Sequence, residues 1–139
     1  MCESLVFVRL PDCLEAIPTS LFNGCTSLVS VTLPSSIKSI GSTAFYECSS
    51  LESIVIPNGV TSIGYWAFIR CYALVSVALP DSLQSIEMST FRDCKKLEAI
   101  TYYGSVTAWG EVNKGEYWAL GTPSDMKIIC NNGIIYTPQ

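Results

Sequence analysis

Histidine is absent from this 139-residue chain. That removes the commonest general base, the commonest metal ligand and the usual partner of a catalytic serine or cysteine. Charge is scarce too, at 14% of residues against 49% hydrophobic, a balance that excludes a disordered polypeptide. A net charge of −4 offers no electrostatic footprint for nucleic acid or an anionic membrane. No apolar run approaches the roughly 20 residues that span a bilayer, so no membrane insertion by this segment is expected. Met1-Cys2-Glu3 opens without a basic stretch leading into an apolar core, and no secretory signal is read there. The length fits one domain with a sizeable core.

What is present is a period. Cys2, Cys25, Cys48, Cys71 and Cys94 are each 23 residues apart. The same step relates Leu5, Leu28, Leu51, Leu74 and Leu97, then Val8, Val31, Ile54, Val77 and Ile100. Pro11, Pro34, Pro57 and Pro80 keep it, as do Ile17, Ile40, Ile63 and Ile86, and Phe22, Phe45, Phe68 and Phe91. Leu28-x-x-Val31-x-Leu33 alternates its apolar residues as a strand with one buried face requires. Pro34 ends that strand, because proline cannot donate to a ladder. Ile37 and Ile40 return to the core on a second short extended segment, and Gly41 and Gly64 permit a tight redirection. Ala44-Phe45 and Ala67-Phe68 are expected to begin a helical turn that plugs each coil with a ring. One coil cannot bury these residues alone, whereas stacked coils let every row meet its own copy. The expected fold is therefore a right-handed solenoid of parallel strands and short helical turns, about five coils long.

The pattern Cys-x-Ser-Leu-x-Ser-Val-x-Leu-Pro-x-Ser-Ile-x-Ser-Ile-Gly-x-x-Ala-Phe resembles the BspA-like leucine-rich repeats of bacterial surface and secreted proteins and some parasitic protists. The likeness runs from residue 2 to about residue 110, and the Cys, Pro, Gly and Ala-Phe positions carry it. The resemblance implies a cell-surface or secreted setting, with adhesion or protein recognition, sometimes toward host matrix proteins. It implies neither catalytic residues nor a cofactor. Cys13 and Glu87 depart from the pattern, standing where the repeats place Ser and Gly, and those two turns are expected to differ locally.

Repeats are assigned to residues 1–110 and a cap with a β-hairpin to 111–139. In the 23-residue register Lys114 falls where phenylalanine belongs. The runs Lys127 to Cys130 and Gly133 to Tyr136 read as strands, with Asn132-Gly133 as the hairpin signal. No cap precedes Cys2, so the chain reads as the C-terminal piece of a longer array. A bare first coil (Leu5, Val8, Leu10, Leu14, Ile17) is expected to promote end-to-end self-association or fraying.

Chemistry is sparse. Five cysteines share one row with no CxxC pair, which suits buried thiols filling the core better than metal ligands, with a minor alternative of a disulfide at Cys13 or Cys130. Ser27, Ser30, Ser50, Ser53, Ser76 and Ser85 have no base to activate them. Glu52 and Glu98 lie two repeats apart, roughly 10 Å at 4.8 Å per coil, outside the spacing of paired glycosidase carboxylates. What remains are surfaces. The concave strand face offers Phe7, Arg9, Thr32, Glu52, Val55, Glu98 and Thr101. Its area is a few hundred Å², against about 800 Å² per partner in an ordinary interface. The convex flank offers Tyr46, Tyr65, Trp66, Ile69 and Tyr72, with Trp66 and Ile69 expected on one helical face. Tyr102, Tyr103, Trp109, Tyr117 and Trp118 are expected to pack within the cap. The reading is a non-catalytic protein-binding or adhesion module; its alternative is a structural spacer or oligomerisation stalk without a ligand of its own.

Overall fold

The computed structural model describes residues 2–136. Each coil contributes two strands: β1 (Phe7–Arg9) and β2 (Ala16–Ile17), β3 (Ser30–Thr32) and β4 (Ser39–Ile40), β5 (Ser53–Val55) and β6 (Ser62–Ile63), β7 (Ser76–Leu79) and β8 (Ser85–Ile86). Next come β9 (Ala99–Tyr102), a helix α1 (Val106–Glu111), β10 (Asn113–Lys114), β11 (Lys127–Cys130) and β12 (Gly133–Tyr136). The second strands form one parallel sheet in the order β10-β8-β6-β4-β2, which marks four full turns of a parallel β-solenoid. The first strands form two sheets, β1-β3 and β12-β11-β9-β7-β5. Pairing is in the 23-residue register: Ile17 opposes Ile40, Ile40 opposes Ile63 and Val77 opposes Ile100.

The interior is built from like residues touching like. Phe22, Phe45, Phe68 and Phe91 stack with centroid separations of 5.2, 5.0 and 5.3 Å, and all four are buried. Offset stacking adds about 0.5–1.5 kcal/mol per pair beyond the area buried. Three members of the cysteine row are buried thiols that donate to the phenylalanine carbonyl of the preceding coil. The contacts are Cys48 Sγ to Phe22 O at 3.1 Å, Cys71 Sγ to Phe45 O at 3.2 Å and Cys94 Sγ to Phe68 O at 3.1 Å.

The row is not thiol throughout. Cys2 and Cys25 form a disulfide, which corrects the expectation of free thiols along it, while Cys13 is free and exposed and Cys130 free and buried. Coil stacking sets the Cys2 and Cys25 Cα atoms 4.8 Å apart, within disulfide reach.

The segments containing Ala-Phe are not helical turns, and among the described residues α1 is the only helix. Two residues per coil adopt left-handed backbone, for example Thr43 (φ 54°) and Glu47 (φ 54°), then Trp66 (φ 57°) and Arg70 (φ 58°). A left-handed residue breaks helix propagation. Alternate N–H groups then point along the stack. Thr43, Phe45 and Glu47 donate to the Tyr65, Ala67 and Ile69 carbonyls of the next coil at 2.9, 2.8 and 3.0 Å. The intervening N–H groups bond within their own coil, so this flank is a third ladder joining the coils.

Glu87 keeps the bonding of its glycine counterparts: its N–H reaches Ile63 O at 3.0 Å, as Gly64 N–H reaches Ile40 O at 2.9 Å. Around Cys13 the turn bond from Leu14 N to Pro11 O (3.2 Å) matches that from Ile37 N to Pro34 O (3.2 Å). The bonding of neither turn departs from the pattern.

At the C-terminal end α1 inserts five residues. Asn113 pairs with Ser85 and Lys114 with Ile86, a step of 28 residues instead of 23. Lys114 therefore occupies the isoleucine row, not the phenylalanine row that a constant period gives. Its ammonium donates to Trp109 O (2.9 Å) and Val112 O (2.8 Å) at the end of α1, 4.7 Å from the Trp109 ring centroid. Trp118 covers Phe91 edge-on at 6.5 Å, and Trp109 meets both Trp118 (5.8 Å) and Tyr102 (5.1 Å). The aromatic column thus ends by turning sideways. β11 adds a parallel rung to β9, and β12 folds back antiparallel on it. The hairpin turn is Asn131-Asn132, with Gly133 already paired to Cys130, one residue earlier than the sequence suggested.

Candidate interaction surfaces

The first-strand face follows from alternation: Val31, Ile54 and Val77 point inward, and their neighbours point out. Arg9 lies beside Thr32, and Phe7 beside Ser30. Val55, Ala78, Thr101 and Ile129 form one file across β5, β7, β9 and β11. Glu52 and Glu98 are exposed on the adjoining file with Val75 between them, as the bonds from Val75 N to Glu52 O and from Glu98 N to Val75 O (both 2.9 Å) show. The face is not continuous. β3 and β5 do not form a ladder, and an open groove of about 300 Å³ lined by Val31, Thr32, Ser53, Ile54, Val55 and Pro57 separates them. Phe7, Arg9 and Thr32 stand on one side of this groove; Val55 and Thr101 stand on the other.

Sequence reasoning missed the apolar end of this face. The Val55 file continues through Ile129 to Ile134 on β12. Val55 is 65% exposed, Ile134 55% and Tyr136 61%, and Tyr103 and Ile129 are exposed beside them. The signal was available: Lys-Ile-Ile-Cys and Gly-Ile-Ile-Tyr carry apolar residues on both faces of strands that bury only one. Tyr102, Trp109 and Trp118 pack as expected of cap residues, but Tyr103 and Tyr117 face solvent.

On the convex flank Tyr65, Trp66 and Tyr72 are exposed, Tyr46 is half-buried and Ile69 is buried, with 9% of its surface accessible. Trp66 and Ile69 share a turn, through the bond from Ile69 N to Trp66 O at 3.3 Å, but no helical face. The left-handed backbone at Trp66 sends the two side chains apart. The Tyr65 and Trp66 rings lie 6.2 Å apart, Lys95 Nζ sits 5.8 Å over Tyr72, and Arg70 pairs with Glu47 at 2.9 Å.

In the first coil Leu5, Val8, Leu10 and Leu14 are half-buried, whereas Ile17 is covered. Burial pushes the Cys48 and Cys94 thiols up to about 12 and raises Cys71 as well, so none of the three is a poised nucleophile. Burial also raises Cys130. No helix among the described residues is long and apolar enough to cross a membrane.

Repeating coils, an apolar column and an outward strand face define a leucine-rich-repeat solenoid. Residues 1–112 match the BspA type leucine rich repeat region in six copies, and the chain belongs to that family. It is similar to the leucine rich repeat protein of T. pallidum, at 32% identity and a TM-score of 0.71, over 84% of this chain and 58% of that one. It is also similar to a leucine rich cell surface protein from Faecalibacterium prausnitzii, at 36% identity and a TM-score of 0.76, over 78% of this chain and 29% of that one. The chain thus spans less than two thirds of the length of these relatives. Among curated proteins none matches it.

Proposed function

We propose that this chain is a non-catalytic protein-binding module that contributes to adhesion at a bacterial cell surface or in secreted form. Its binding surface is the outward face of the β5–β12 sheet. The observation that carries this reading is the group of exposed apolar side chains Tyr103, Ile129, Ile134 and Tyr136, with Val55 exposed further along the same file beyond Ala78 and Thr101. Exposed apolar patches of this kind mark interaction sites. The cap residues add tyrosine, a hot-spot type, to a face whose central rungs are small. The F. prausnitzii relative, named a cell surface protein, supports the setting.

Biolayer interferometry against immobilised host matrix proteins tests this. Val55→Lys with Tyr103→Ala is expected to weaken binding about tenfold or more while leaving the melting temperature unchanged. Trp66→Ser is expected to leave binding intact. Loss confined to Trp66→Ser would move the site to the flank, and equal binding by all three proteins would refute the face.

A further inference from the structure

The chain carries three Asn-Gly steps: Asn23-Gly24, Asn58-Gly59 and Asn132-Gly133. Such a step can convert without an enzyme. Glycine has no Cβ to crowd the approach, so its backbone nitrogen can reach the carbonyl carbon of the asparagine side chain. The nitrogen bonds to that carbon and the Cγ–Nδ2 bond breaks. Ammonia leaves, carrying the proton of the glycine N–H. Water then opens the cyclic imide. Opening on the side-chain side gives aspartate, and opening on the main-chain side gives isoaspartate. Both the asparagine carboxamide and the glycine N–H must be released for the ring to close.

The fold holds the three steps differently. Gly24 N–H is a rung of the flank ladder, donating to the Tyr46 backbone carbonyl at 2.8 Å. At the hairpin Gly133 is paired with Cys130, and the Asn132 carboxamide is tied down by accepting from Val106 N at 2.8 Å. Asn58 is exposed in the turn after β5, and among the described residues its side chain makes no hydrogen bond. The only acceptor of Gly59 N–H is a side-chain hydroxyl, Ser82 Oγ at 2.9 Å, which a rotation about one bond can withdraw. Lys38 Nζ lies 3.1 Å from the point that a Gly59 Cβ would occupy. Its positive charge favours the deprotonated peptide nitrogen that attacks.

From this we infer that Asn58 is a site of non-enzymatic deamidation, and that the fold selects it over Asn23 and Asn132. The product sets a carboxylate in the turn after β5, beside the Lys38 ammonium and next to Pro57, which lines the groove between β3 and β5. Isoaspartate also lengthens the backbone of that turn by one carbon. The modification therefore changes charge and shape at one edge of the strand face as the protein ages. It does not require that face to bind anything.

The test ages the whole chain in mildly alkaline buffer at physiological temperature. Peptide mapping by mass spectrometry follows each asparagine, and enzymatic methylation counts isoaspartate. In the folded protein Asn58 is expected to convert about tenfold faster than Asn23 or Asn132. In guanidinium, with the fold removed, the rates of the three should lie within about threefold of one another. Ser82→Ala, shown to be folded by its urea midpoint, removes the acceptor of Gly59 N–H. It should speed conversion at Asn58 about threefold and leave Asn23 unchanged. Folded protein in which Asn23 or Asn132 converts as fast as Asn58 would overturn the inference. So would an Asn58 that stays intact while the unfolded chain converts, or the same tenfold ranking in guanidinium, which would make the selection a property of sequence alone. Equal or slower conversion in the Ser82→Ala protein would overturn it as well.

Discussion

At Gly64 an added methyl would lie 2.6 Å from the backbone nitrogen of Ser42 and 2.9 Å from the carbonyl carbon of Gly41, both in the coil before it. Glu87 stands in the same row and keeps the inter-coil bond, so a side chain there is met by a local backbone shift, and Gly64→Ala should cost about 1–3 kcal/mol. Gly110, within α1, meets nothing within 4 Å, and Gly110→Ala should stabilise by about 0.5–1 kcal/mol through helix propensity. Urea unfolding of the two variants checks both signs. The thiols give a second residue-scale prediction. Cys48 and Cys94 ionise near 9 when unfolded and near 12 when buried, so the unfolded chain gives up its protons first. Their contribution to stability is whole below pH 9 and is lost as pH rises from 9 toward 12. Urea midpoints measured across that range should fall, and the fall should be shallower in a Cys48→Ala, Cys94→Ala protein. Equal slopes would contradict the burial of these thiols.

Elements bring what single residues do not. Lys114 is an isoleucine-row residue whose amine reaches the end of α1, and burial lowers its affinity for a proton. Lys114→Met should keep the bulk but leave the Trp109 and Val112 carbonyls without this donor, at a cost of about 1–3 kcal/mol, readable as a lower melting temperature. The hairpin is tied in the same neighbourhood: Asn132 Oδ1 accepts from Val106 N at 2.8 Å, and Ser105 Oγ caps α1 by accepting from Ala108 N at 3.0 Å. At this scale the sequence was partly legible. The strands of each coil, their inward residues and both hairpin strands can be read from alternation and proline. The five-residue insertion was not, because a fixed period carries Trp109 and Lys114 into rows they do not occupy. The left-handed residues were not legible either, since Ser20, Thr43, Trp66, Ser89 and Tyr117 share a φ near 60° and no side-chain chemistry. Only coil-to-coil bonding imposes that conformation, and it replaced the expected helical turn.

Across the whole molecule, identical rows generate the stack and the exceptions generate the surfaces. The division between β3 and β5 splits the strand face, leaving Phe7 and Arg9 apart from the apolar end at Ile129, Ile134 and Tyr136. That end was missed because buried and exposed isoleucines look alike in a run such as Ile128-Ile129; which one faces solvent is settled only by the pairing of β11 with β9. The first two coils carry one covalent tie. Titration under denaturation without reductant should find five thiols, rising to seven after reduction. Seven at the outset would remove the Cys2–Cys25 bond.

Successive coils in register, with a single longer step at the end, are what everything above requires. Aromatic nuclear Overhauser contacts in solution test this most directly. They should run Phe22 to Phe45 to Phe68 to Phe91 and then to Trp118, with the Trp118 ring in turn touching Trp109. A chain of contacts that stopped at Phe91, or that joined rings two coils apart, would contradict it.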